Sequence, residues 1–378
     1  MKFLHTSDLH IGKIVNEFSM LEDQKYILEQ IRGIAVDEKV DAVVIAGDVY
    51  DRSIPPTEAV QLLDEFLTSL LQAGIKVLMI SGNHDSAERV AFADRILEKQ
   101  GLFIAGATDS DALTKKVILE DEFGPIEFVL FPFVKPAVVG AREAAGAVEN
   151  VLSTLPMTMD LATRRVMVTH FFVTGDGGEM PELSDSETSV QVGGLDNVPS
   201  YFFAQYDYVA LGHIHKPQRI GQMQVHYAGS PLKYSFSEVK GNKSVNLVTM
   251  GVKGDINVEK RVLKPLKEMR IIEGTLDELM KQGLQDQNGS QDYIQAVLTD
   301  EIELLDPMSS LRSVYPNTMQ IVLKKHMKER EESFTLGLTV ARQSTEELFC
   351  GFYELLKGEE MDDVRRAIVR EVAEEAEK

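Results

Sequence analysis

A chain of 378 residues, 44% hydrophobic and 26% charged, has the length of about two domains and the composition of a globular protein in water. No apolar run reaches the roughly 18 residues that span a bilayer, the first residues lack a signal-peptide pattern, and a single cysteine, Cys350, excludes an intramolecular disulfide; together these imply a reducing cytosol. The net charge of −21 argues against a simple DNA-binding module, because phosphate backbones are met by Lys and Arg, unless bound metals and a partner subunit bring the positive charge.

Lys2 to Thr6 predicts a short strand that feeds a polar loop carrying Asp8 and His10. Ser19-Met-Leu-Glu22 has capping-box spacing, so an amphipathic helix is expected from there to about Asp37. Asp41 to Ala46 carries an unbroken apolar run rich in Val and Ile, the pattern of a strand buried on both faces, and Asp48 lies just past its end. Pro55-Pro56-Thr57 opens a helix to about Ala73, and Lys76 to Ser81 is a second buried strand ending at Gly82-Asn83-His84-Asp85. Such alternation predicts an α/β fold, helices on a sheet, with functional loops at the carboxyl ends of the strands.

Lys116 to Leu119 and Glu127 to Phe131 read as strands, Pro136 to about Leu155 as a helix, and Arg165 to Thr169 as a buried strand ending at His170. Residues 173 to about 198, rich in Gly, Asp, Glu and Ser, are expected to form a long mobile loop beside the site. Asp207 to Leu211 resumes the sheet and ends at Gly212-His213-Ile214-His215, and the alternation from Gln224 to about Arg261 predicts antiparallel hairpins. Residues 266–335 change texture and read as a small α/β domain after a first domain of 1–265. Residues 336–378 are expected to form a helical region, with Leu348, Phe349, Phe352 and Leu355 at helical spacing.

Asp8 and His10 put an oxygen and a nitrogen ligand on one side of an extended loop. Asp48 is delivered to a sheet edge, where a carboxylate bridges two cations about 3.5–4 Å apart. Asn83 offers a neutral amide oxygen, His84 a proton or hydrogen bond for a departing oxygen, and Asp85 is expected to fix the tautomer of His84. His170, His213 and His215 add imidazoles, donors suited to Mn, Zn or Fe rather than Mg or Ca. Read singly, a strand-end Asp is also a helix cap and a lone His a satisfied structural residue, the reading taken for His5, His226 and His326. Jointly, five of the eight histidines in ordered motifs after predicted strands point to two cations that share Asp48, bind a phosphate and activate a bridging water as nucleophile. No Ser or Cys with a partnered base and no Gly-x-x-x-x-Gly-Lys loop stands out, so covalent catalysis and nucleotide-driven motion are not encoded here.

The order Asp-x-His, Gly-Asp-x-x-Asp-Arg (Gly47 to Arg52), Gly-Asn-His-Asp, His, Gly-His-x-His resembles the calcineurin-like metallophosphoesterase superfamily. Gly212-His-Ile-His-Lys-Pro-Gln218, Ala228-Gly-Ser-Pro-Leu-Lys-Tyr-Ser-Phe-Ser-Glu238 and Leu311-Arg-x-x-Tyr-Pro-Asn317 narrow this to a resemblance, over nearly the whole chain, to the SbcD family of bacterial repair nuclease subunits. The resemblance implies a four-layer α/β/β/α sandwich, a DNA-binding capping domain at 266–335, and C-terminal helices that dock on an SbcC ATPase. It implies one metal held by Asp8, His10, Asp48 and His215, another by Asp48, Asn83, His170 and His213, with His84 catalytic and manganese as the metal.

The implied activity is 3′–5′ exonuclease on duplex ends and endonuclease on single strands and hairpins, in repair, recombination and replication. The implied setting is a cytoplasmic complex with SbcC, built on a homodimer, with no membrane. Relatives from archaea and eukaryotes carry a histidine where this chain has Asp51, so Asp51 and Arg52 are assigned no catalytic role. The same metals would serve a phosphatase or cyclic-nucleotide phosphodiesterase, and a vestigial site would leave a DNA-end scaffold; degradation of linear duplex DNA by the manganese form separates these.

Overall fold

The computed structural model describes residues 1–106, 113–155, 163–187, 196–286, 289–302 and 304–324, with isolated positions beyond. The chain divides into two compact units, Met1–Ile271 with Asn288–Ile294, and Ile272–Gln287 with Gln295–Lys378.

The first unit is built on two six-stranded sheets. One runs Ile256–Val262, Ser244–Met250, Lys2–Thr6, Ala42–Ala46, Lys76–Ile80, Leu102–Ala105, with the last four strands mutually parallel. The other runs Gln218–Arg219, Val225–Tyr227, Tyr208–Leu211, Arg164–Thr169, Gly124–Phe131, Lys115–Asp121. Apolar runs form these strands because both faces are buried. Ala42, Val44, Ala46, Leu78 and Ile80 of the first sheet pack against Phe128, Val166, Val168, Tyr208 and Ala210 of the second. The alternate residues of the second sheet, Met167, Val209 and Leu211, pack on Val148 and Val151 of the helix Ala144–Thr154. On the first sheet the alternate residues Val43, Ile45, Val77 and Met79 are likewise fully buried, on the side of the helices Leu21–Asp37 and Thr57–Gln72. Four layers result.

Phe3 illustrates the packing between the sheets: its ring meets Phe128 at 5.6 Å and Tyr208 at 5.7 Å, both edge-on. Truncation of such a fully buried ring to Ala costs about 3–5 kcal/mol. Parallel pairing, as in Phe3 opposite Ala42 and Val43 opposite Val77, brings successive carboxyl ends to one edge, where the polar loops lie.

Four expectations are corrected. The helix after Ser19 begins at Leu21 without a side-chain cap, because Phe18–Ser19 pairs with Ile14–Val15 as a short hairpin. The helix expected from Pro136 is a 3-10 turn to Val139, interrupted at Gly140 with φ +69°, and an α-helix only from Ala144. Residues 173–198 are partly built: Phe172–Thr174 pairs in parallel with Asn197–Pro199. Val225–Tyr227 is not a simple hairpin strand, since it also pairs in parallel with Tyr208–Leu211.

In the second unit, Leu279, Ala296, Leu298 and Leu311 form a small core under the helices Leu276–Gln285 and Pro307–Arg312. The sheet it belongs to has the order Met269–Gly274, Tyr293–Leu298, Thr318–Leu323. Thr275 and Glu278 form a full capping box at the first helix. The stripe Leu348, Phe349, Phe352 and Leu355, together with Cys350 and His326, lies outside the described residues. Among the described residues no helix is long and apolar enough to cross a membrane.

Candidate metal centre

Five strand ends from the two sheets converge. Lys2–Thr6 leads to Asp8 and His10, Ala42–Ala46 to Asp48, Lys76–Ile80 to Asn83 and His84, Arg164–Thr169 to His170, and Tyr208–Leu211 to His213 and His215. The first two loops are stitched by backbone bonds: Asp8 N–H donates to Gly47 O, His10 N–H to Asp48 O and Ile11 N–H to Val49 O, each at 3.0 Å. Asp8, His10, Asp48 and His213 all sit in the left-handed region, with φ of 53°, 44°, 48° and 90°. Each such residue costs of order 1–3 kcal/mol, held in place by the surrounding bonds and concentrated at the site.

Close packing leaves room only for glycine at three neighbouring positions. A Cβ on Gly47 would overlap the His170 ring, on Gly82 the Asp48 carboxylate, and on Gly212 the Ala46 carbonyl oxygen and His170 Nδ1.

Seven of the eight predicted side chains come together in two sets that share Asp48, with His84 beside them. In the first, Asp8, His10 and His215 present ligand atoms within 4.8 Å of one another, and the Nε2 atoms of His10 and His215 face each other at 3.1 Å. In the second, His170 Nε2 lies 3.3 Å from Asp48 Oδ2 and 3.0 Å from Asn83 Oδ1, and His213 Nδ1 lies 2.9 Å from the same amide oxygen. Asp48 Oδ2 stands 3.7 Å from His10 Nε2 as well. Ligand atoms about 2.1 Å from one ion stand roughly 3 Å apart, which is the spacing found here.

The donor set fits divalent cations. His170 Nδ1 donates to the Ala46 carbonyl at 2.8 Å, which directs Nε2 at the Asn83 and Asp48 oxygens. Asp8 and Asp48 are 0% and 2% exposed, and among the described residues no Lys or Arg is ion-paired with either. Buried carboxylates arranged like this call for a cation. Burial pushes His10 and His213 down to about 3 and holds His215 well below its usual value, leaving neutral imidazoles able to offer a lone pair. Burial, and then the nearby Asp48 charge, raises Asp8 to about 6. Burial opposes ionisation of Asp48, yet the His170 charge beside it keeps the carboxyl well below the carboxylate range. In return the Asp48 charge outweighs the effect of burial and lifts His170 to about 9.

One expectation about supporting residues changes. Asp85 does not fix the His84 tautomer: its carboxylate accepts the backbone N–H groups of Val49, Tyr50 and Gly82 at 3.1, 2.9 and 2.8 Å, which ties the Asp48 and Asn83 loops together. The His84 ring is oriented instead by the carbonyl of Asp51, 3.0 Å from Nδ1. Asp51 itself pairs with Lys13 at 2.7 Å and stands 3.7 Å from His10 Nδ1, so it supports the site through its neighbours.

Gln24, buried in the first helix, donates to His10 O at 2.7 Å and accepts from Gly12 N–H at 2.9 Å, locking the Asp8–His10 loop. A polar residue on the apolar face of that helix was the signal for it. Glu187 accepts the His215 backbone N–H, and burial raises its carboxyl to about 7. His5 and His226 are structural as expected: His5 meets Tyr208 Oη and Leu211 O, and His226 meets Met223 O.

Residues 1–127 match the calcineurin-like phosphoesterase family, and residues 265–356 match the family described as the type 5 capsule protein repressor C-terminal domain. Among solved structures the chain is similar to TT1561 of Thermus thermophilus, at 11% identity over 68% of this chain and 98% of that one, TM-score 0.41. It is also similar to a dimetal phosphatase from Danio rerio, at 13% identity over 70% and 98%, TM-score 0.42. Among curated proteins, the SbcD subunit of the nuclease SbcCD from Staphylococcus epidermidis is 31% identical over 371 residues, 97% of this chain and 96% of that protein. Likeness of that extent, joined to the phosphoesterase match over residues 1–127, makes the chain a member of the SbcD family of metal-dependent nuclease subunits.

Proposed function

We propose that the chain is the catalytic subunit of a cytoplasmic SbcCD complex that hydrolyses DNA phosphodiesters with two manganese ions. The observation that carries this reading is the placement of Asp48, whose Oδ2 lies 3.7 Å from His10 on one side and 3.3 Å from His170 on the other, so that one carboxylate serves both sets. Asp8, His10, Asp48 and His215 would hold one ion; Asp48, Asn83, His170 and His213 would hold the other. Bound there, the pair supplies Lewis acidity to the phosphate and a water acidic enough to react near neutral pH. Imidazoles mixed with carboxylate and amide oxygens favour manganese over magnesium.

The protein's own contribution is orientation and proton delivery. His84 is 42% exposed, its Nδ1 held by Asp51 O and its Nε2 4.0 Å from Asp48 Oδ2, so its ring stands at the open rim of the site. From there it hydrogen-bonds the reacting phosphate and hands a proton to the departing oxygen.

The relative's name supports SbcC as partner, and the net charge of −21 supports a division of labour in which metals and partner bring the positive charge for DNA. Exonuclease action on duplex ends, endonuclease action on single strands and hairpins, a homodimer, a DNA-capping role for 266–335 and SbcC docking by 336–378 belong to the same proposal.

The test is a manganese titration of nuclease activity on linear duplex, hairpin and a small phosphate diester, with and without SbcC. Restoration of duplex and hairpin cleavage after EDTA treatment is expected; turnover of the small ester alone would assign the site to a phosphatase or phosphodiesterase.

A further inference from the structure

We infer that Ser186 and Glu238 act as a relay that sets the ring orientation of His215, which makes them positioning residues for one half of the metal centre. The inference rests on the reading of His215 as a metal ligand and names what keeps it one.

Ser186 Oγ lies 2.9 Å from His215 Nδ1, 3.3 Å from Glu238 Oε1 and 2.6 Å from Ser184 Oγ. A hydroxyl has one proton and two lone pairs, so three partners saturate it. The carboxylate of Glu238 only accepts, so the Ser186 proton points there, and both lone pairs take donors: Ser184 O–H and His215 Nδ1–H. The imidazole proton is thereby committed to Nδ1, and Nε2 is left with its lone pair facing His10 Nε2 at 3.1 Å, where the first ion belongs. In the opposite tautomer Ser186 would donate to His215, Glu238 would lose that donor, and an N–H would occupy the metal-facing position.

The surroundings hold the relay still. Glu238 is anchored by Lys243 and by the Tyr234 N–H at 3.1 Å, and the Lys243 ammonium also donates to His215 O and Ser230 Oγ, each at 2.8 Å. With Glu187 on its backbone N–H, His215 is gripped at its N–H, its carbonyl and its Nδ1 by the segments around 184–187 and 238–243, and only Nε2 is left to the site. No such hydroxyl relay serves His170, whose Nδ1 is fixed by a backbone carbonyl. A carboxylate that reaches a ligand through a hydroxyl keeps the charge farther from the ion while still fixing the tautomer.

The experiment is a calorimetric Mn²⁺ titration of the full-length chain, metal-free at the start, for wild type, Ser186→Ala and Ser186→Thr, with thermal unfolding in EDTA as the folding control. Wild type is expected to take up two ions; Ser186→Ala weakens one of them about 10–100-fold and spares the other, and Ser186→Thr, which keeps the hydroxyl, restores binding. Unchanged affinities in Ser186→Ala, or equal losses in the Ala and Thr variants, would overturn the relay. Fewer than two ions in wild type would instead remove the ligand assignment beneath it. A second readout needs no folded Ser186 variant: ¹H–¹⁵N ring correlations of the metal-free wild type should give His215 as the Nδ1–H tautomer, and an Nε2–H ring would refute the inference.

Discussion

The two halves of the metal centre are held by different means. His170 stands on a strand-end turn fixed by backbone, with the Ala46 carbonyl on its Nδ1 and glycines at 47, 82 and 212 where no Cβ fits, and His213 beside it adds one side-chain tie, its N–H donating to the Asp8 carboxylate at 2.9 Å. His215, in the other half, depends on side chains brought from distant segments, Ser186, Glu187, Glu238 and Lys243. A backbone-held ligand is lost only when the fold is strained, whereas a ligand held by side chains is adjustable one residue at a time. Metal affinity is therefore expected to be tunable at the His10–His215 half and nearly invariant at the His170–His213 half.

The largest expected effect erases the distinction between the halves. Asp48→Asn takes the shared charge from both, and nuclease turnover should fall by more than about 10³-fold, read in a single-turnover assay on duplex DNA. Retention of either ion's full affinity in that variant would show that the halves do not share the carboxylate. His84→Gln leaves both halves intact and should lower kcat by about 10²–10⁴-fold with manganese stoichiometry unchanged. A loss of metal from that variant would place His84 among the ligands.

Gly212→Ala sharpens the comparison from the backbone side. Its Cβ would overlap the Ala46 carbonyl and the His170 ring, so the His170–His213 half should lose its ion and the protein about 1–3 kcal/mol of stability, read by metal titration and urea unfolding together. Full metal uptake in that variant would contradict the account of a rigid half.

The smallest effect is a control remote from both halves. Asp121 binds Arg164 and the N-terminal amine; the Arg164 hydrogen bonds, opposed by burial, hold its carboxyl below the usual range. A depressed carboxyl contributes stability above its unfolded pKa near 3.9, and that contribution disappears as pH falls through the lower folded value. Asp121→Asn should therefore be less stable than wild type at pH 7, by a margin that narrows below about pH 4, with manganese binding unaltered. A margin constant from pH 7 to 3 would show that the Asp121 charge contributes nothing.

Much of the site was legible in the sequence because each ligand follows an apolar run that can only be a buried strand, as with Val43–Ala46 before Asp48 and Val166–Thr169 before His170. They lie at the carboxyl ends of strands in two sheets, three in one and two in the other. Residues that act across the fold were not legible: Ser186 and Glu238 are 52 positions apart and carry no local pattern that joins them. Asp85 misled for a related reason, since adjacency to His84 suggested a contact, while the tight turn aims its carboxylate at three backbone N–H groups. Ser19 and Glu22 had the spacing of a cap, but strand pairing with Ile14 took precedence over local propensity.

The central claim, two cations around one carboxylate, is tested most directly by electron paramagnetic resonance of the metal-free chain titrated with Mn²⁺. The account predicts two ions per chain with a spin-coupled signal that disappears in Asp48→Asn. Saturation at one ion, or two uncoupled ions indifferent to that substitution, would contradict it.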